Sequence, residues 1–375
     1  MKITIVLGAF FPVPTIMGGA IEKVWFALSK EFARRGHEVV LVSRAMPQFP
    51  REEQVEGVRL LRVPGFDSPR NIVWLKFLDL VYSLRIRSIL PKADLIVPHT
   101  FWLPILLRDT SRGKVYVHIG RYPKGQMRFY RHVARLQAPT ADLAHAVAAE
   151  APELAPKISI VPNPGPSLTR NEPVPIEQRE KVILYVGRVH PEKGVHLLVE
   201  AFAGAKRALF AGWRLIVVGP TDVKLGGGGE NYLAELKRLA VGADVIFRGP
   251  VFDSAQLANE YDNARIFVYP SLAEKGESFG LAPLEGMTHG CAVIVSDLGC
   301  FRDFISAGKT GIVFDHRAAD PVMVLRSRLE ELVVHPALLS RMAAAGYAKS
   351  ADHSLEQVAD QFLADFNSIV SDSHV

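Results

Sequence analysis

Two carboxylates eight residues apart, Glu277 and Glu285, stand in the stretch PSLAEKGESFGLAPLEGM, from Pro270 to Met287. An apolar strand, Arg265–Tyr269, runs into this polar, glycine-containing loop, which then opens an amphipathic helix. Glu277 lies in the loop and Glu285 about one and a half turns inside the helix. A strand end followed by a helix N-terminus binds anions, because free backbone N–H groups and the helix dipole both point there. A carboxylate on each side of that point suits hydroxyls that flank a phosphate, as in a nucleotide-sugar. The alternative is purely structural, with one glutamate capping the helix and the other paired on its surface.

Other stretches carry complementary chemistry. The apolar strand 181–186 ends in Gly187-Arg188, and Lys193-Gly194 follow just before a helix expected over about 195–207. Both cations therefore sit directly after a strand. Near the N-terminus, strand 3–7 leads through a loop to Gly18-Gly19 at the start of a helix, where small residues let a ligand approach the backbone amides. That spacing is not the dinucleotide pattern G-x-G-x-x-G, and the glycines could serve the turn alone. His99 and His118 each close a short strand (95–97 and 115–117), at the sheet edge that faces a ligand crevice. Beyond His118, periodicity places Arg128, Arg131 and Arg135 on one helical face and Phe129, Val133 and Leu136 on another. Such a basic amphipathic segment suits an anionic acceptor or anionic lipid, or is simply a solvated face.

The chain has length for more than one core: 375 residues suit two domains of roughly 150–200 residues. Charged residues at 22% and hydrophobic ones at 49% describe a globular protein and exclude a disordered one. The two cysteines, Cys291 and Cys300, are too few for a disulfide framework and lack metal-site spacing, so they read as buried thiols in a reducing cytoplasm. The N-terminus reads as a first buried strand, not a signal peptide, and no apolar run is long enough to span a bilayer. Net charge is +5, unevenly spread: residues 1–172 carry 24 Lys+Arg against 14 Asp+Glu, and the remainder 20 against 25. A basic N-terminal half favours an anionic partner, whether membrane surface, nucleic acid or phosphorylated acceptor.

Strand, helix and strand within the first 40 or so residues make a βαβ unit, hence a parallel sheet with right-handed crossovers. Residues 70–90 are too apolar for a freely solvated helix. Proline density from Pro162 to Pro175 marks a linker. Strand and helix patterns then restart, with strands expected near 215–218, 245–247, 266–269, 292–295 and 312–314. The loop 224–229, KLGGGG, is expected to be mobile, as a lid or a tolerant turn. Beyond Asp315 the chain reads as helical, and Val358, Phe362 and Phe366 make a stripe that needs a surface to dock on. The expected division is 1–172, 173–352 and a terminal helix, 353–375, that crosses back to the first domain.

The combination of Gly187-Arg188, Lys193-Gly194 and the Glu277–Glu285 spacing resembles the retaining, metal-independent GT-B glycosyltransferases called family 4. The resemblance spans nearly the whole chain, and residues 276–290 are its most specific part. It implies two doubly wound Rossmann-like α/β domains facing each other across a cleft, the first for an acceptor and the second for a nucleotide-sugar. By resemblance, Arg188 and Lys193 hold the donor diphosphate and Glu277 orients the donor sugar. Ser278, Phe279, Gly280 and Leu281 lie in the segment whose backbone amides meet sugar and phosphate. Glu285 accepts hydrogen bonds from the ribose, and His118 lies near the reacting carbon. Gly18 and Gly19 join the donor set, and Val251 and Phe252 are expected near the base. His99, Arg121, Lys124 and Arg128 are acceptor-side candidates.

The chain departs from the family pattern at Gly299-Cys300, often Gly-Gly, at Asp303, often glutamate, and at Cys291, commonly proline. The implied activity is transfer of a hexose-type sugar from a UDP- or GDP-sugar to a hydroxyl, with no metal and no cofactor beyond the co-substrate. A cytoplasmic location fits this, with peripheral contact at the inner face of the membrane and a lipid-linked or anionic acceptor. Three other readings stand beside it: a sugar-nucleotide epimerase of the same architecture, a non-catalytic nucleotide-binding protein, and a nucleic-acid binder. The last leaves Glu277 and Glu285 unexplained, and no nucleic-acid partner is expected.

Overall fold

A computed structural model describes residues 1–16, 19–69, 71–166, 168 and 172–371. The chain divides into two compact units, Met1–Pro164 with Leu355–Val375, and Gly165–Ser354.

The first unit is built on an eight-stranded sheet. Its strands are β1 (Lys2–Val6), β2 (Glu38–Arg44), β3 (Glu52–Val55), β4 (Val58–Val63), β5 (Leu95–Pro98), β6 (Lys114–His118), β7 (Arg135–Ala138) and β8 (Ile158–Ile160). They lie in the order β3-β4-β2-β1-β5-β6-β7-β8. β1 is buried from Ile3 to Val6, as a central strand covered on both faces must be. Strand order reverses direction between β1 and β5, the position at which a doubly wound sheet binds ligands at its carboxyl edge.

One edge departs from the expected parallel sheet, because β3 runs antiparallel to β4. The turn between them is Glu56-Gly57, with φ of 46° and 82°. Two successive left-handed residues are what a two-residue hairpin requires, and a glutamate at the first position hides that signal in the sequence.

The terminal helix, Leu355–Ser371, belongs to this unit and docks its aromatic stripe on helix Ala20–Arg34 and on β6. Phe362 meets Trp25 edge-on at 5.1 Å, and Phe366 meets Phe32 at 5.7 Å and Tyr116 at 4.8 Å. The Tyr116 hydroxyl donates to Asp365 at 2.8 Å, so the polar tip of a buried ring is satisfied.

The second unit carries a wholly parallel six-stranded sheet of β9 (Val182–Val186), β10 (Arg214–Val218), β11 (Val245–Gly249), β12 (Ile266–Tyr269), β13 (Ala292–Ser296) and β14 (Ile312–Phe314). The order is β11-β10-β9-β12-β13-β14, that of a doubly wound dinucleotide-type fold. Its switch point falls between β9 and β12. Helices Val195–Ala203, Gly229–Leu239, Ser254–Asn263, Leu281–Thr288, Pro321–Val334 and Pro336–Ser350 complete the unit. Cys291 and Cys300 are both buried.

The helix expected to align Arg128, Arg131 and Arg135 does not form. Met127–Tyr130 is a single 3₁₀ turn and Arg135 opens β7. Val133 and Leu136 are indeed buried, but on the approach to β7 and within it. Arg131 pairs with Glu153 and Arg135 with Asp365, so the three cations share no face. The loop 224–229 is likewise tied down: the Gly228 amide donates to Val189 O at 2.8 Å and the Gly229 amide to Thr221 O at 2.8 Å.

Candidate functional site

In the second unit, the loops leaving β9 and β12 bring the basic and acidic candidates together at the switch point. Lys193 ends a 3₁₀ turn, Pro191–Lys193, and Gly194 follows in the left-handed region at φ 65°. A Cβ on Gly194 would stand 2.0 Å from Pro270 O, so only glycine lets this turn lie against the end of β12. The closeness of the two backbones is what puts Lys193 Nζ 2.7 Å from Glu277 Oε2. Tyr269 Oη and Ser271 Oγ also donate to Glu277 Oε2, at 3.1 and 3.3 Å. All three contacts reach one carboxylate oxygen.

Arg188 is half-exposed. Its guanidinium donates to Gly226 O at 2.9 Å and to Glu192 Oε1 at 2.5 Å. Helix Leu281–Thr288 begins at Gly280, at φ 92° and with no side-chain cap, which leaves backbone amides of its first turn available to an anion. Phe279 is buried against Phe304, ring centres 5.3 Å apart, so this residue offers a ligand its backbone only. One helical turn on, Glu285 Oε2 accepts from Tyr261 Oη at 2.8 Å. Val251 lines a surface depression with Arg248 and Glu260, and Phe252 is exposed.

In the first unit, His99 and His118 at the ends of β5 and β6 pack together, ring centres 5.1 Å apart, both against Trp25. Gln137 Nε2 donates to Val161 O at 2.5 Å, which turns Gln137 Oε1 toward His118 Nδ1, also at 2.5 Å. A carbonyl oxygen can only accept, so His118 carries its proton on Nδ1 and presents the Nε2 lone pair. Nε2 of both His118 and His99 is buried without a hydrogen-bond partner among the described residues. Burial lowers the His118 pKa to about 4 and that of His99 well below its ordinary value, so both rings are neutral at physiological pH.

Two matches with known sequences bear on these residues. Residues 169–348 match the family described as "Glycosyl transferases group 1", and residues 19–164 match the "Glycosyl transferase 4-like domain". The chain belongs to the family 4 glycosyltransferases. A D-inositol 3-phosphate glycosyltransferase from Segniliparus rotundus is 31% identical over 218 residues, covering 56% of this chain and 46% of the relative. The match thus spans about half the length of that curated relative. Sucrose-phosphate synthase from Thermosynechococcus elongatus has a TM-score of 0.82 at 20% identity, over 99% of this chain and all of the other. Anabaena HepE, solved with UDP-glucose, has a TM-score of 0.70 at 17% identity, over 98% of this chain and all of the other. These structural likenesses show the GT-B fold of two Rossmann-like α/β domains.

Among the candidates read from the sequence, Arg188, Lys193, Glu277, Ser278, Phe279, Gly280, Leu281 and Glu285 fall on the loops and helix around the β9–β12 switch point. Gly19 is the left-handed residue before helix Ala20–Arg34, and Gly18 lies outside the described residues. Arg121, Lys124 and Arg128 are exposed on the segment after β6.

Several polar residues escaped sequence reasoning. Glu22, in the first turn after Gly19, is buried, and burial raises its pKa against the opposing charge of Arg121. Asp79 lies on the buried face of helix Ile72–Ile89, where its Oδ2 accepts from the amides of Phe101 and Trp102. Its pKa rises to about 6, from burial first, with those two bonds opposing. Tyr269, Ser271 and Gln137 hold Glu277 and His118 in place. An acid one turn past a glycine pair was a usable sign for Glu22. Nothing local marks Asp79 or Gln137, whose partners lie far along the chain, whereas Tyr269 and Ser271 stand in the same strand-and-loop stretch as Glu277 and carry no sign of which of its side chains they bond.

Proposed function

We propose that the protein is a retaining glycosyltransferase that moves a hexose-type sugar from a UDP- or GDP-sugar to an acceptor hydroxyl. The observation that carries this reading is the Lys193–Glu277 pair at the β9–β12 switch point, beside the uncapped N-terminus at Gly280. A buried cation and a helix N-terminus suit a diphosphate, and the carboxylate beside them suits the hydroxyls of the attached sugar.

On this reading, Lys193, Arg188 and the amides after Gly280 bind the diphosphate. They stabilise the negative charge that grows as the bond from the anomeric carbon to the diphosphate oxygen breaks, its electron pair leaving with the oxygen. The acceptor oxygen forms the new bond from the same side, and its proton passes to a phosphate oxygen. Glu277 Oε1, which lies outside the three contacts at Oε2, accepts from the sugar, and Glu285 accepts from the ribose. Neither glutamate shuttles a proton as a hydrolase pair does. His118 Nε2 accepts a hydrogen bond from a sugar or acceptor hydroxyl. Positive charge from Lys193 and Arg188 takes the part a divalent cation plays elsewhere, so turnover persists in chelator.

The relatives support sugar transfer in kind, and HepE, solved with UDP-glucose, supports a uridine nucleotide first. The basic first half supports an anionic or lipid-linked acceptor and work at the inner membrane face. The test is a thermal-shift screen with UDP, GDP, ADP and their sugars, followed by product analysis with the donor found. Ligand that binds the folded state raises the melting temperature by mass action. No stabilisation by any nucleotide overturns the reading. Release of an altered sugar without acceptor points to an epimerase instead.

A further inference from the structure

Helix Ile72–Ile89 presents an apolar surface that none of the described residues covers. Of the sixteen exposed large hydrophobic side chains among the described residues, six stand on this one helix. Ile72, Val73, Trp74 and Phe77 crowd its first turns, with Val73 74% and Trp74 53% exposed. Trp74 and Phe77 stack at 5.1 Å, forming a flat aromatic face toward solvent. The opposite face, through Leu78, Tyr82 and Ile86, is already buried in the first unit, so the helix is folded and anchored without using this surface.

The charges on the helix decide what covers it. Lys76, Arg85 and Arg87 are exposed, and the one acid, Asp79, is buried and committed to the Phe101 and Trp102 amides. Asp67, just before the helix, is paired with Arg44. The same flank continues past the Phe101–Trp102 loop, where Lys76 Nζ lies 4.6 Å over the Phe101 ring and Tyr130 Oη donates to Phe101 O at 3.1 Å. Next to Tyr130, Phe129 is exposed, with the Arg128 guanidinium over its ring at 5.0 Å. Aromatic side chains interleaved with lysine and arginine, without exposed acids on the helix, match the boundary between headgroups and acyl chains of an anionic bilayer. A second copy fits badly, since a two-fold contact would set this helix against itself and oppose like charges.

We propose that the exposed face of helix Ile72–Ile89, centred on Trp74 and Phe77, docks the protein on an anionic lipid surface. Trp74 and Phe77 enter the headgroup boundary, while Lys76 and Arg87 meet lipid phosphates. The helix lies on the membrane and does not cross it: no helix among the described residues is long and apolar enough to span. The helix belongs to the first unit and the Lys193–Glu277 pair to the second, and the proposal uses no residue of that pair, so its failure leaves the reading of the nucleotide site standing.

Flotation of the full chain tests the proposal. Vesicles of phosphatidylcholine alone are compared with vesicles that contain about a third phosphatidylglycerol. The parent chain is compared with a Trp74→Ser/Phe77→Ser variant and a Lys76→Glu/Arg87→Glu variant. The parent should float with anionic vesicles and not with neutral ones, and salt should release it. Each variant should lower binding by roughly tenfold or more. UDP-induced thermal stabilisation should be the same in all three chains, which shows that the variants fold. Failure of the parent to bind anionic vesicles overturns the proposal, as does equal binding by the Trp74/Phe77 variant. Sedimentation velocity adds one more outcome: self-association that this variant abolishes, without vesicle binding, makes the face a protein contact.

Discussion

Lys193 Nζ stands 2.7 Å from Glu277 Oε2, with both side chains almost fully buried and 84 positions apart in the chain. A pair this deep in the protein loses hydration on both ions, and what makes it tolerable is the ring of donors around the carboxylate. Lys193, Tyr269 and Ser271 all serve Oε2, so one residue is positioned by charge, aromatic hydroxyl and serine together.

Replacing Lys193 by alanine is therefore expected to do two separable things. Turnover with the identified donor should fall by about two to three orders of magnitude, the usual cost of removing a group that stabilises developing charge. The melting temperature should fall as well, because Glu277 stays buried without its cation. In a Lys193→Ala/Glu277→Ala double variant the melting temperature should recover while turnover does not. Turnover of the single variant within about twofold of the parent would remove Lys193 from the diphosphate site.

Glu285→Gln should weaken binding of the free nucleotide, with a dissociation constant about tenfold higher by calorimetry, corresponding to one charge-assisted hydrogen bond. Tyr261→Phe should act in the same direction and less strongly, since it removes the 2.8 Å bond that orients the carboxylate. Unchanged nucleotide affinity in Glu285→Gln contradicts the ribose assignment.

The histidine pair makes stability depend on pH. His118 binds its proton at about pH 4 when folded, against an ordinary value of 6.5. Between these values the unfolded chain holds more protons than the folded one. Stability is therefore intact above the ordinary value and is lost as pH falls through the window, by about 3 kcal/mol from His118. His99 adds to the loss in the same direction. Urea denaturation of parent and His118→Gln at neutral and acid pH should show a flatter acid limb in the variant, and identical limbs would contradict a neutral buried ring.

Gly280→Ala should destabilise the second unit by about 2 kcal/mol or more. Its φ of 92° disfavours any side chain, and the new Cβ would stand 2.4 Å from Phe301 Cε1. Thermal unfolding measures the loss, and nucleotide binding should weaken with it, because the same residue opens the helix whose amides are proposed to bind the diphosphate.

Much of the second unit was legible in the sequence because its signals are local. A buried strand, Gly187, Arg188 and Lys193 follow one another within a dozen residues, another strand runs straight into the loop that carries Glu277, and period alone separates strand from helix. The first unit was harder wherever short elements carry mixed patterns. The Glu56-Gly57 hairpin has glutamate where the usual turn has asparagine or aspartate, and Arg128 to Arg135 shows helical spacing although Val133 and Leu136 are committed to β7 and its approach. Tertiary pairing overrode periodicity there.

The sequence by itself determined the two α/β patterns, the strand ends that carry His99, His118, Arg188 and Lys193, and the spacing of Glu277 from Glu285. Each follows from backbone geometry over a few residues. Only the tertiary structure decided that Lys193 and Glu277 are partners and that Gln137 sets the His118 tautomer. It also decided that helix Ile72–Ile89 turns Trp74 and Phe77 outward. The physical reason is that burial, desolvation and hydrogen-bond direction belong to residues brought together across the sheet, and a linear pattern carries no record of which strands become neighbours.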